Sequence, residues 1–192
     1  MLTRIELEAK LGAKLDPDAV LVICHPVTMK EDTLEEAGEF FATLETLDRQ
    51  ILFLYPNADA GSRRLIQMTK KFVASRKRTK LFVNFEHTYL SLLADVAVLL
   101  GNSSSGIIES TSVGLPTLNI GIRQRGREHA ANVLDVPADK TKILKAIRKA
   151  ELPGFRNASP WLPNPYGDGH ACQKILKVLT ETPLDSRLLF KA

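Results

Sequence analysis

Cysteine is scarce in this chain of 192 residues: only Cys24 and Cys172 occur, far apart in the sequence. That scarcity excludes a disulfide framework and the close Cys/His spacing of a structural metal site. Long apolar runs are missing too, since none approaches the ~20 residues needed to cross a bilayer. The N-terminus, MLTRIELEAKLG, is amphipathic at helical spacing where a signal peptide would carry an apolar core. These absences predict a soluble, cytoplasmic protein with no membrane contact. Charge of one sign does not dominate either, with 26 Lys and Arg against 22 Asp and Glu. The formal net charge of +4 suits an anionic ligand without requiring nucleic acid. The densest basic run, Lys70 to Lys80, holds a single aromatic and no RNA-binding signature, so it reads as a solvated helix face.

What is present is a regular alternation. Five apolar runs of strand length occur: VLVIC (20–24), ILFLY (51–55), KLFVNF (80–85), DVAVLL (95–100) and PTLNIG (116–121). Nearly continuous apolar character marks strands buried on both faces. Between them lie helical patterns at Glu31 to Asp48, Ser62 to Arg78 and Thr88 to Leu93, the first two with apolar residues on one stripe. Strand and helix in alternation predict an α/β fold: a Rossmann-like parallel sheet with helices on both faces and right-handed crossovers. With 44% hydrophobic residues the chain can bury one substantial core, predicting a single α/β domain over residues 1–180 and a tail at 181–192. Further helices are predicted at Thr141 to Ala150 and His170 to Thr180. The Pro-, Gly- and Asn-rich stretch between them carries Trp161 and Tyr166, which should pack against something.

Ligands in such sheets bind at the carboxyl ends of the strands. There the sequence places His25, Asn57 with Asp59, Phe85 with Glu86, Asn102 to Gly106, and Arg123 to Glu128. The segment 101–121, GNSSSGIIESTSVGLPTLNIG, outlines a phosphate cradle, with small residues that would expose backbone N–H groups and three hydroxyls at a helix start. Glu109, about one turn into that helix, could accept hydrogen bonds from a ribose diol.

Taken together, HPVT (25–28), NADAGS (57–62), GNSSSGIIES (101–110), GLPTLNIG (114–121), RQRGRE (123–128), NVLDV (132–136) and NPYGDG (164–169) resemble the hydrolysing UDP-N-acetylglucosamine 2-epimerases. The resemblance runs from about Leu2 to Leu179. Non-hydrolysing epimerases differ at the first two diagnostic places, having an Arg-rich turn after the His and an acidic, Gly-containing turn in place of the Ser run. The resemblance implies the C-terminal domain of the glycosyltransferase type B architecture, with the active site in a cleft between two domains. Met1 falls where the second domain would begin, so the N-terminal domain, which supplies most proton-transfer carboxylates, would be a partner in cis or in trans. The last helix would cross back to it, and the apolar face so left could drive a homo-oligomer.

By the same resemblance, His25 contacts the diphosphate and assists departure of UDP, as the one catalytic residue of this half. Ser103 and Ser104 hold the phosphates, with Ser105 and Gly106 completing a hole of backbone N–H groups from 104 to 106. Glu109 holds the ribose, Arg123 places a permanent charge near the diphosphate, Asn57 lies near the nucleotide, and Phe85 sets its backbone beside uracil. A turn-forming Asn57 and a core Phe85 are the plain alternatives, and Arg127 is expected to pair with Glu128 or another acid. UDP and UDP-N-acetylglucosamine are the implied ligands; no cofactor and no metal is implied. The implied reaction eliminates UDP to a glycal and adds water to yield N-acetylmannosamine, with the isolated chain inactive. A donor-binding domain of a type B glycosyltransferase and a non-catalytic nucleotide-binding module are the competing readings.

Overall fold

In the computed structural model, residues 1–158 and 162–183 are described, the side chains of Glu86, Asn157 and Ala158 excepted. Six short strands form one sheet: β1 (Val20–Ile23), β2 (Ile51–Leu54), β3 (Thr79–Phe82), β4 (Val98–Gly101), β5 (Thr117–Ile120) and β6 (Val133–Val136). Every pairing is parallel, and the spatial order is β3-β2-β1-β4-β5-β6. The central strands β1, β4 and β5 are buried at every position, β1 and β4 with a near-continuous apolar sequence and β5 with Thr117 and Asn119 buried among its apolar residues.

Helices cover both faces. Helix α1 (Arg4–Leu11) starts on a Thr3/Glu6 capping box and stops at left-handed Gly12. It packs Leu7 and Leu11 with α4 (Tyr89–Asp95) against one face. Helices α2 (Ala37–Leu44), α3 (Ser62–Ala74) and α6 (Lys140–Ala150) bury their apolar stripes on the other. There Phe41, Phe53 and Phe72 meet with ring centroids 5.5–6.1 Å apart. Each such pair adds about 0.5–1.5 kcal/mol beyond its buried area.

The structure departs from the sequence expectations in several places. A sixth strand, β6, forms from the NVLDV segment; it is an edge strand with Asp135 exposed in its middle, so the apolar continuity of a central strand is missing. The helix expected over Glu31 to Asp48 contracts to α2, because residues 31–36 form turns in which Asp32 accepts from the Leu34 amide at 3.0 Å. Helix α3 ends at Ala74 and the chain re-enters the sheet at Thr79. Asp95 closes α4 and does not open a strand.

The remaining helices are α5 (Ser105–Ile108), α7 (Pro153–Ala158) and α8 (Ala171–Glu181). None among the described residues is long and apolar enough to cross a membrane. Helix α8 buries none of its residues and leaves Ile175, Leu176, Val178 and Leu179 exposed. Tyr166 of the preceding loop donates its hydroxyl to the Glu128 carbonyl at 2.9 Å. The expected packing of Trp161 and the tail beyond Pro183 lie outside the described residues.

Candidate functional site

The strand order reverses between β1 and β4. Connections leave these two neighbours in opposite directions, so a crevice opens at their carboxyl ends. His25 and Asn102 occupy the two sides of that opening. Gly101 makes the approach of the two strands work: at φ +146° a Cβ there would lie 2.0 Å from the Ile23 carbonyl oxygen. Asn102 then pairs with the backbone of His25 reciprocally. Its Oδ1 accepts from the His25 amide at 2.7 Å and its Nδ2 donates to the His25 carbonyl at 2.9 Å.

The imidazole of His25 is fixed separately. The Asn57 amide donates to Nδ1 at 3.1 Å, which leaves the neutral ring's proton on Nε2. Burial, and then the nearby Arg123 guanidinium, push the His25 pKa down to about 4. His25 in the free protein is therefore a neutral hydrogen-bond donor through Nε2–H. The Asn57 side chain donates to Asp59 at 2.6 Å, and Asp59 lies 3.6 Å from Arg123. Arg123 also donates to the Asn102 carbonyl at 3.2 Å, beside Gln124, which donates to the same oxygen at 2.9 Å.

A groove of about 480 Å³ runs from His25 and Asn57 past Ser103, Ser105 and Glu109 to Tyr55, Val83, Asn84, Phe85 and Tyr89. Phe85 lines it yet is buried in the core, between Phe82 and Tyr89. Ser105 hydrogen-bonds the Tyr89 hydroxyl, whose pKa burial pushes up to about 12 with Glu109 adding to the rise. Glu109 has one carboxylate oxygen, Oε2, that is buried and unpartnered among the described residues.

The Ser-rich turn differs from the expected cradle. Helix α5 is a single turn and passes at once into a 3₁₀ turn over Ser110–Val113, so few peptide dipoles align behind the serines. Its own closure also consumes the amides expected to be free. The Gly106 amide donates to the Ser103 carbonyl at 3.1 Å and the Ser105 amide to Ser103 Oγ at 3.3 Å. The amides without an acceptor among the described residues are those of Ser103 and Ser104. Gly106 is a packing residue: a Cβ on it would meet Thr117 Cγ2 at 2.9 Å, so its absence lets α5 lie against the sheet.

Behind the turn, Asn132 is fully buried and bonds Ser110, Thr111 and the Leu115 carbonyl at 3.1, 2.8 and 2.9 Å. Arg127 is exposed and forms no ion pair among the described residues, contrary to expectation. The structure thus brings His25, Asn57 and Arg123 into one cluster, and Ser103, Ser105 and Glu109 into the groove beside it. Tyr89 is the residue that sequence reasoning missed, since a Tyr at a helix start carries no pattern of its own; Asn102 and Gln124 fall within the strand-end clusters read from the sequence, which assigned them no individual role.

The chain matches the UDP-N-acetylglucosamine 2-epimerase family model over residues 2–180. It is 32% identical to the UDP-N,N'-diacetylbacillosamine 2-epimerase (hydrolyzing) of Legionella pneumophila over 192 residues, covering 98% of this chain and 49% of that protein. Identity to the polysialic acid biosynthesis protein P7 of Escherichia coli is 31%, covering 92% of this chain and 46% of the other. Similar solved structures include S. aureus MnaA with UDP (TM-score 0.67, 19% identity, 96% of this chain and 51% of that one). The UDP-GlcNAc 2-epimerase of Neisseria meningitidis bound to UDP-GlcNAc is another (TM-score 0.62, 18% identity, 93% and 48%). The chain spans about half the length of the curated relatives it matches. With nearly the whole sequence matched and the parallel sheet shared, the chain belongs to the UDP-N-acetylglucosamine 2-epimerase family.

Proposed function

We propose that this chain is the UDP- and UDP-sugar-binding half of a hydrolysing UDP-N-acetylglucosamine 2-epimerase. The observation that carries the reading is Glu109, which lines the groove and keeps one carboxylate oxygen, Oε2, buried and without a partner among the described residues. Buried acceptors are nearly always paired, so one that is not calls for a ligand donor, and a ribose diol supplies two. The free Ser103 and Ser104 amides, the Ser103 hydroxyl and His25 Nε2–H then face a diphosphate, and the space by Tyr55, Val83 and Asn84 takes the base. Arg123, held by Asp59 and Asn102, contributes fixed positive charge behind His25.

In the reaction, loss of the C2 proton and departure of UDP from C1 form a glycal. Addition of water then gives free N-acetylmannosamine, inverted at C2. Expelling UDP requires donors and positive charge aimed at the growing diphosphate charge, and this half holds that set. The base at C2 belongs to the other domain, so the chain alone should bind UDP and turn over negligibly. Calorimetry or chemical-shift titration with UDP tests the reading: binding that perturbs His25, Ser103 and Glu109 is expected. No binding at millimolar UDP would overturn the site, and epimerisation by the chain alone at ordinary rates would overturn the division of labour.

A further inference from the structure

Resting on the nucleotide reading above, we infer that Asn102 is the positioning residue that sets both His25 and Arg123 toward the diphosphate. Every polar group of Asn102 is engaged. Its amide donates to the Ile23 carbonyl at 3.1 Å, its side chain takes both backbone groups of His25, and its carbonyl accepts from Arg123 and Gln124. The side chain thereby mimics one further rung of the β1–β4 ladder, at the point where the strands have ended. Only a primary amide offers a donor and an acceptor together at this reach; Asp lacks the donor, and Ser is too short.

Two features separate this arrangement from ordinary core polarity. Asn102 is 4% exposed and lies where β1 and β4 part, so its bonds are shielded from water and act on the mouth of the crevice. Gln124 donates to the Asn102 carbonyl from a buried position, with its own Oε1 without a partner among the described residues. With the His25 backbone held by Asn102 and its ring by Asn57, Nε2–H has a single direction. Loss of the Asn102 side chain frees the His25 main chain, while the bonds of Arg123 and Gln124 to the main-chain carbonyl of residue 102 stay in place, and a displacement of about 1 Å at a charge-stabilising group costs up to about 100-fold.

The test compares wild type with N102A and N102S for binding of UDP and of uridine, which lacks the diphosphate, together with an NMR titration of the His25 ring. The expected result is a loss of roughly 10-fold or more for UDP, uridine affinity within about 2-fold of wild type, and a His25 pKa that rises from its depressed value. Adding N102A to H25A should cost less than N102A alone, because the effect passes partly through His25. If N102A fails to fold, as judged by circular dichroism, N102S is read in its place. Equal losses for UDP and uridine, or unchanged UDP binding in a folded variant, would overturn the positioning role and leave the nucleotide reading intact. Absence of UDP binding by wild type would remove that reading and this role with it.

Discussion

Replacing Glu109 with glutamine should stabilise the free protein and weaken its hold on UDP, opposite effects arising from one atom. Glu109 Oε2 is buried without a partner among the described residues, and an unpaired buried acceptor costs about 1–3 kcal/mol, more when charged. Glutamine keeps the volume and removes the charge. A recovery of roughly 1 kcal/mol would raise the melting temperature by about 2–4 °C for a chain of this size. In the complex the carboxylate would accept from the ribose hydroxyls, and a hydrogen bond to a charged group contributes about 1.5–3 kcal/mol. E109Q should therefore raise the Kd for UDP by roughly 10- to 100-fold. Thermal melts and titration calorimetry read the two effects, and 2′,3′-dideoxy-UDP, which has no diol, should bind both proteins alike. A variant that melts below wild type and binds UDP equally well would refute the reasoning, as would an equal loss with the dideoxy ligand.

Two further outcomes follow from the same structure. N132A removes a fully buried amide that bonds Ser110, Thr111 and the Leu115 carbonyl; it should cost about 2–4 kcal/mol in urea unfolding, through orphaned partners and a cavity. His25 is held neutral by burial and by Arg123, with its pKa moved from the ordinary 6.5 to about 4. The unfolded chain thus binds the extra proton first. The His25 contribution to stability is complete above pH ~6.5 and is lost as pH falls toward ~4. An NMR titration that places His25 near 6.5 would contradict this, and H25N should flatten the stability profile across that window.

Much of the architecture was legible because strands buried on both faces must be continuously apolar. VLVIC, ILFLY and the Val98 to Leu100 core of DVAVLL announce themselves by that pattern, and the helical stripes between them leave only a parallel arrangement. Strand β6 escaped the pattern because an edge strand tolerates Asp135 in its middle, where the side chain also accepts from Asn119 at 2.7 Å. The Ser-rich turn stood out in the sequence, but which of its amides stay free did not. Whether a given amide is free depends on how the next turn closes, and Ser103 captures the amides of Ser105 and Gly106 through contacts that composition does not reveal.

The site residues divide along the same line. Residue types and order alone determined that His25, the serines and Glu109 would gather at the carboxyl ends of the strands, because hydrophobic periodicity places the loops there. Tertiary structure alone decided that β1 and β4 are neighbours, and from that neighbourhood come the Asn102 lock on His25 and the depressed His25 pKa. It also decided that the Phe85 ring is buried in the core, that Gly106 lies close against the sheet, and that Glu109 Oε2 is buried with no partner among the described residues. Those properties depend on which atoms meet across 77 residues of chain between His25 and Asn102, and local patterns carry no information about such meetings.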